Sequence, residues 1–219
     1  MRSDDPAQWQ LTPTEAVALQ RHLAPRVLTD DRFGTIRRVA GIDAGFPASG
    51  TLTRVAVVVM SFPDLEVLEE IVVERPTRFP YVPGLLSFRE VPVMLDALAN
   101  LAVEPDVVFC DGHGLAHPRR IGSASHLGLA AGIPTVGVAK SCLVGRFDDP
   151  GERRGDWSPL AHRAERIGAV LRTRSKVRPV FVSSGHCVSL TSAINLVLDC
   201  APRFRLPEPI RAADKLASS

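Results

Sequence analysis

The sequence predicts a mixed α/β fold, one sheet with helices on both faces, and three observations carry that expectation. Between residues 38 and 74, three apolar segments follow one another across short turns, which makes an antiparallel meander. From residue 87 onward, helical and strand patterns alternate, the mark of strand-helix units. A chain of 219 residues with 45% apolar and 23% charged content also suits one generous domain over 1–219, able to bury a core without metal or disulfide staples.

The elements follow in order. Thr12-Pro13-Thr14-Glu15 is a capping box with proline at the first helical position, opening an amphipathic helix to about Leu23. Arg38 to Asp43 reads as a strand, and after a turn around Pro47–Gly50 the run Val55 to Met60 reads as a strand buried on both faces. Glu66 to Glu74 alternates and completes the meander. Ser87 to Leu101 has helical spacing, with Pro92 tolerable only near the first turn. Asp106 to Cys110 and Thr135 to Ala139 read as strands on either side of a helix from Ile121 to Ala131, closed by Gly132. The segment 146–178 carries nine basic and five acidic residues and reads as polar chain with a local basic excess, to which no strand or helix is assigned. Pro179 to Ser183 is a strand, Leu190 to Asp199 a helix that Ser183-Ser184 could cap, and Pro207-Glu208-Pro209 opens a last helix to about Leu216.

Composition narrows the function classes. A net charge of +2 excludes an overall polycation but leaves room for a local basic groove. No apolar run approaches the roughly 20 residues needed to cross a bilayer. The polar, acidic stretch Met1 to Gln10 lacks an apolar leader, so the expected location is cytoplasmic. Cys110, Cys142, Cys187 and Cys200 form no Cys-x-x-Cys pair, which argues against a zinc ribbon, and three of the four sit in apolar or small-residue runs as reduced core residues. Two scarcities stand out: three lysines among 26 basic residues, and one tyrosine, Tyr81.

Chemistry concentrates where a core pattern would not put polar groups. Asp43 and Asp111 each follow an apolar strand, and a carboxylate there must be paired, hydrogen-bonded or metal-bound. A lone aspartate in such a place more often caps a neighbouring loop or helix. Two of them suggest a shared oxygen-ligand site for magnesium or manganese. Asp111 also opens Asp111-Gly112-His113-Gly114-Leu115-Ala116-His117, whose glycines either permit close approach of backbone to a ligand or simply allow a tight turn. Tyr81, between Pro80 and Pro83, is either a stiff aromatic projection or an exposed turn residue. Glu90, in the first turn of a helix, could merely answer its dipole. Lys140 ends a strand in a chain that otherwise favours arginine, and a compact ammonium suits one phosphate oxygen or a metal-bound water. His186 reads as structural. No Walker loop, dinucleotide fingerprint or Gly-x-Ser-x-Gly elbow occurs.

Taken together, Ile42-Asp43, Pro80-Tyr81-Val82-Pro83-Gly84-Leu85-Leu86-Ser87-Phe88-Arg89-Glu90, Asp111-Gly112-His113-Gly114 with His117-Pro118-Arg119, Gly137-Val138-Ala139-Lys140, Ser184-Gly185-His186 and Arg205-Leu206-Pro207-Glu208-Pro209 resemble endonuclease V. The motifs run in the family's order from Asp43 to Asp214, most of the chain. The resemblance implies a ribonuclease H-like mixed sheet, an antiparallel three-strand meander plus parallel strands, flanked by helices. It implies a magnesium-dependent endonuclease, with manganese also serving, that repairs DNA by cutting the second phosphodiester bond 3′ to hypoxanthine (deoxyinosine). The ends left are 3′-hydroxyl and 5′-phosphate.

By the same resemblance Asp43 and Asp111 are metal ligands, Glu90 the catalytic glutamate, and Lys140 and His117 active-site residues near the scissile phosphate. Asp214 stands where the family places an acidic residue or histidine facing the metal. Pro80, Tyr81, Val82 and Pro83 correspond to a wedge entering the strand at the lesion, and Gly84, Leu86, Gly112, Gly114 and Ala139 to the base pocket. Departures are small: Val82 replaces a common isoleucine, and Ala44 and Gly45 replace bulkier residues. The expected partner is inosine-containing DNA, double- or single-stranded, with RNA as the alternative substrate and no obligate protein partner. A non-catalytic lesion-binding module would be marked by loss of a metal carboxylate, and none is missing. A small-molecule phosphatase would need neither wedge nor basic loops.

Overall fold

Helix α1 (Pro13–Leu23) begins as its sequence dictates: the Thr12 hydroxyl accepts from the Glu15 N–H at 3.3 Å, and the Glu15 carboxylate accepts from the Thr12 N–H at 2.8 Å. The computed structural model describes residues 9–219, so nearly all of the acidic stretch that argued against a leader lies outside the described residues. Strands β1 (Arg38–Gly45), β2 (Leu52–Ser61) and β3 (Val67–Pro76) form the antiparallel meander. Helix α2 (Ser87–Ala99) leads to β4 (Val107–Asp111), and α3 (Ser123–Ala131) to β5 (Thr135–Ala139). Gly132 closes α3 in the left-handed conformation expected of a helix-ending glycine. Then come β6 (Trp157–His162), β7 (Glu165–Leu171), β8 (Val180–His186), α4 (Leu190–Asp199) and α5 (Glu208–Ala217).

The eight strands lie in the order β3-β2-β1-β4-β5-β8-β7-β6. β1, β4 and β5 are parallel neighbours, whereas β8 runs antiparallel to β5 and β7 antiparallel to β8 and β6. Side chains alternate across the sheet. Ala40, Ile42, Val108 and Cys110 pack with Phe88, Val91 and Leu127 from α2 and α3. Val39, Val107, Phe109 and Val138 face Ala193, Val197, Ile210 and Ala213 from α4 and α5. Helices therefore cover both faces, as predicted.

Four local expectations are corrected. The polar segment 146–178 contains the β6–β7 hairpin. Its turn places Arg163 at φ 54° and Ala164 at φ 62°, a left-handed pair that Asn-Gly or Gly-Gly usually announces, so no hairpin signal marks it in the chain. Pro92 sits in the second turn of α2 and leaves the Phe88 carbonyl without its helical donor, yet the buried face carrying Phe88, Val91 and Met94 holds the helix through it. β8 runs on to His186, and Ser189 rather than Ser183 or Ser184 caps α4, accepting from the Ser192 N–H at 3.2 Å. Asp43 does not end β1, which continues to Gly45 in register with β2. Of the cysteines, all free, Cys110 and Cys200 are buried, Cys187 is half-buried and Cys142 is exposed.

Candidate active site

β1 and β4 run parallel with Ile42 opposite Cys110, so the next residue on each strand is an aspartate pointing to the same face of the sheet. That pairing brings Asp43 beside Asp111. Asp214 joins them from α5, and the reason is steric. Gly41 and Gly45 flank Asp43 on its own face of β1. A Cβ on Gly41 would lie 2.0 Å from the Pro209 carbonyl oxygen, and one on Gly45 would lie 2.9 Å from that of Ala217. Two missing side chains thus let α5 press its backbone onto the strand. One ligand oxygen from each of Asp43, Asp111 and Asp214 then falls within 4.8 Å of the others.

Lys140, just past the end of β5, completes the cluster. Its Nζ is 2.7 Å from Asp111 Oδ2 and 3.0 Å from Asp214 Oδ1. Burial works against the ammonium, but these carboxylates outweigh it and raise its pKa. Among the described residues Asp43 has no ion-pair partner, and the Lys140 charge acts on it only from a distance. Burial first, and the Asp111 charge second, push its carboxyl up to about 7. Glu90 lies deeper, 6% exposed, and accepts a hydrogen bond from Ser123 Oγ at 2.7 Å. Burial pushes Glu90 up to about 8, against the pull of Ser123 and with the help of the charges on Asp43 and Asp111. The result is a hard-oxygen cluster, under-neutralised by one lysine, of the kind that takes a small divalent cation.

Above the cluster stands the tyrosine loop. Phe79 and Leu85 are buried on either side of it, while Tyr81 is 71% exposed. The Leu85 N–H donates to the Val82 carbonyl at 2.9 Å, with Pro83 second and Gly84 third at φ 77°, the pattern of a type II turn. One cavity of about 240 Å³ connects loop and cluster: Tyr81, Val82, Pro83, Gly84, Leu86 and Ser87 form one side, Asp111, Gly112, His113 and Ser123 the other. A hollow of about 270 Å³ beside α2, lined by Trp9, Arg75 and Asp96, contains none of the three clustered carboxylates.

Not every residue singled out from the sequence lines this cavity. His117 does line it, buried and with both ring nitrogens committed to backbone: Nε2 to the Gly84 carbonyl at 3.0 Å and Nδ1 to the Arg119 N–H at 3.2 Å. Burial, then the Arg119 charge, hold its pKa down at about 4, so it is a neutral brace of the loop. Gly114 and Ala139 lie behind the cavity rather than on its lining. A Cβ on Gly114 would meet the Ser184 carbonyl oxygen at 2.1 Å, so this glycine serves a chain crossing over β8. Ala139 packs with Leu160, Ile167 and Phe181. His186 accepts from the Leu28 N–H at 3.2 Å, a structural contact. Ser123 at the cavity was not anticipated, because nothing local in the sequence ties it to Glu90, whereas Ser87 and His113 lie within the quoted motifs but carried no assigned role.

Comparison with known proteins shows what the whole chain is similar to. The sequence model of the family described as endonuclease V matches residues 21–215. An endonuclease V of a Nostoc species is 55% identical over 220 residues, covering 100% of both chains. The crystal structure of endonuclease V from Streptomyces avermitilis superposes with a TM-score of 0.93 at 44% identity, over 97% of this chain and 94% of that one. Endonuclease V from Ciona intestinalis, crystallised with a 24-mer DNA containing an inosine followed by a ribo-adenosine, superposes with a TM-score of 0.82 at 27% identity, over 94% and 95% of the two chains. The chain belongs to the endonuclease V family.

Proposed function

We propose that this chain hydrolyses the second phosphodiester bond 3′ to hypoxanthine in DNA, with Mg²⁺ or Mn²⁺ held by Asp43, Asp111 and Asp214, leaving 3′-hydroxyl and 5′-phosphate ends. The single observation that carries it is the shared cavity, walled by an exposed tyrosine loop on one side and by Asp111 of the carboxylate cluster on the other. About 240 Å³ lies at the small end for ligand sites and suits one extruded base rather than a larger molecule. The inosine DNA bound by the Ciona relative supports the same substrate class.

The donor set fits a hard cation: three carboxylates converge and one, Asp43, has no ion-pair partner among the described residues. A divalent ion bound there polarises the phosphate and lowers the pKa of coordinated water. The chain's own groups do the rest. Glu90, buried beside the ligands and oriented by Ser123, holds a proton near neutral pH until charge enters the site, and then serves to orient water. Lys140 presents its ammonium where negative charge builds on non-bridging phosphate oxygens. Tyr81 fills the gap left by the extruded base, while the Pro83–Gly84 turn fixes its direction. Arginines of 146–178, many beside or on the β6–β7 hairpin, hold the strand through phosphates without reading it.

The test is cleavage of matched DNA and RNA oligonucleotides carrying one inosine, in Mg²⁺ and in EDTA. The expected product is a nick at the second bond 3′ to inosine in DNA, absent in EDTA and absent from undamaged strands. Cleavage of the RNA alone would reassign the substrate, and cleavage without metal would overturn the site.

A further inference from the structure

The foot of the tyrosine loop is held by a half-buried polar clamp. The Gly84 carbonyl oxygen receives three side-chain donors: Arg119 Nη2 at 2.6 Å, His117 Nε2 at 3.0 Å and Gln20 Nε2 at 3.1 Å. The donors are themselves locked. Gln20, fully buried on α1, accepts from Arg119 Nε through its own oxygen and also reaches the Ile121 carbonyl at 3.4 Å. His117 accepts from the Arg119 N–H, which leaves its proton on Nε2, facing Gly84. The guanidinium also takes the room a side chain would need: a Cβ on Gly84 would lie 2.8 Å from Arg119 Nη2.

A carbonyl oxygen has two lone pairs, and an ordinary turn leaves them to solvent or to one N–H. Three convergent donors, one of them charged, are more than the turn itself requires. We infer that Gln20 and Arg119 are positioning residues for lesion recognition, which with His117 anchor Gly84 so that Tyr81 projects from an immobile foot. The inference rests on the proposed role of Tyr81. A loop fixed before binding loses less conformational freedom on insertion, so its stiffness appears as affinity wherever a base must be displaced. A second consequence concerns the pocket. The Gly84 carbonyl has no acceptor capacity left, so this oxygen does not accept a hydrogen bond from an entering base.

The competing role for Arg119 is a phosphate contact, and lysine separates the two. Arg119→Lys keeps the charge but cannot reach Gln20 and Gly84 together. Gln20→Glu keeps the acceptor for Arg119 Nε and removes the donor to Gly84. Affinities are read with the full chain in Ca²⁺, for inosine in duplex and in single-stranded DNA, together with the salt dependence of binding and Mn²⁺ affinity by calorimetry. Each variant should lose about 10-fold for the duplex, the scale of one charge-assisted hydrogen bond, and clearly less for the single strand, with Mn²⁺ affinity and salt slope unchanged. Duplex and single-strand affinities that fall equally, or that stay at wild-type values, would overturn the clamp. So would near wild-type duplex affinity in Arg119→Lys with loss only in Arg119→Met, which marks a phosphate contact. Failure of the unmutated protein to prefer inosine in either substrate would instead overturn the proposed function, and the clamp's role with it.

Discussion

Lys140 Nζ lies 2.7 Å from Asp111 Oδ2, so the one lysine at the site is seated against a candidate metal ligand. An ammonium in that place keeps two roles apart: it neutralises part of the carboxylate charge and stands ready for charge developing on phosphate. Lys140→Ala should lower single-turnover cleavage by about 100-fold or more, the scale of one lost electrostatic donor. Affinity for inosine DNA should change little, since one phosphate contact among several is a small part of binding. Equal losses in both measurements would make Lys140 a binding residue only.

Asp43 and Asp111 are the cluster members fixed by strands. Asp43→Ala or Asp111→Ala should reduce cleavage by roughly 1000-fold or more, because several kcal/mol of charge stabilisation go with the metal. Binding of inosine DNA in Ca²⁺ should survive in weakened form through the loop and phosphate contacts. Near wild-type cleavage by either variant in Mg²⁺ would remove the carboxylates from the chemistry.

The pH dependence of stability follows from the same burial. Asp43 and Glu90 have folded-state pKa values raised to about 7 and about 8, so the folded chain binds their protons more tightly than the unfolded chain does. Their stabilising contribution is present in full below the ordinary carboxyl range and is lost as pH rises through 7 to 8. At about 1.36 kcal/mol per pKa unit, the Asp43 rise from 3.8 corresponds to roughly 4 kcal/mol as an upper figure. Thermal melts in EDTA should therefore fall in Tm from pH 5 to pH 9, with a shallower fall in Asp43→Asn. Mg²⁺ or Mn²⁺ should reduce the fall, because it binds the deprotonated cluster. An identical slope in Asp43→Asn would show that this carboxyl is not the cause.

Tyr81 is exposed and outside the core, so Tyr81→Ala should leave Tm almost unchanged. Base–aromatic stacking contributes about 1–3 kcal/mol, so lesion-specific duplex affinity should drop roughly 5- to 150-fold. The deficit should shrink for single-stranded inosine DNA, where no partner base is abandoned, and the residual nick should fall at the same bond. An undiminished duplex preference would reduce Tyr81 to a turn residue.

Gly41 tests how α5 delivers Asp214. Gly41→Ala places a methyl group 2.0 Å from the Pro209 carbonyl oxygen, and the helix must move away. Overpacking of this kind costs about 1–3 kcal/mol, and the displacement should weaken Mn²⁺ binding and cleavage beyond what the lower Tm explains. Wild-type metal affinity in a destabilised Gly41→Ala chain would show that Asp214 is not held in place through this contact.

What could be read from the chain was local. The capping box of α1, the apolar run of β2, the glycine closing α3 and the proline-tyrosine-proline loop each depend on a few neighbouring residues, and each stands in the structure. The β6–β7 hairpin escaped because its left-handed turn is made by arginine and alanine, residues that carry no turn signal. His117 lines the cavity and also braces the tyrosine loop, while Gly114 sits at a chain crossing over β8, placements that the motif alone does not reveal.

By itself the sequence determined most of the strands and helices, the β6–β7 hairpin apart, and which residue types carry the chemistry: hard-oxygen carboxylates, one lysine, one stiff aromatic. Only the tertiary structure decided who meets whom. Asp43 and Asp111 are neighbours because β1 and β4 run parallel in one register, and Asp214 joins them because two glycines let α5 touch β1. Gln20 reaches Gly84 because α1 packs beneath the tyrosine loop. Periodicity and turn chemistry are properties of a short window of chain, whereas strand order, register and close approach arise from contacts between distant segments that no such window contains.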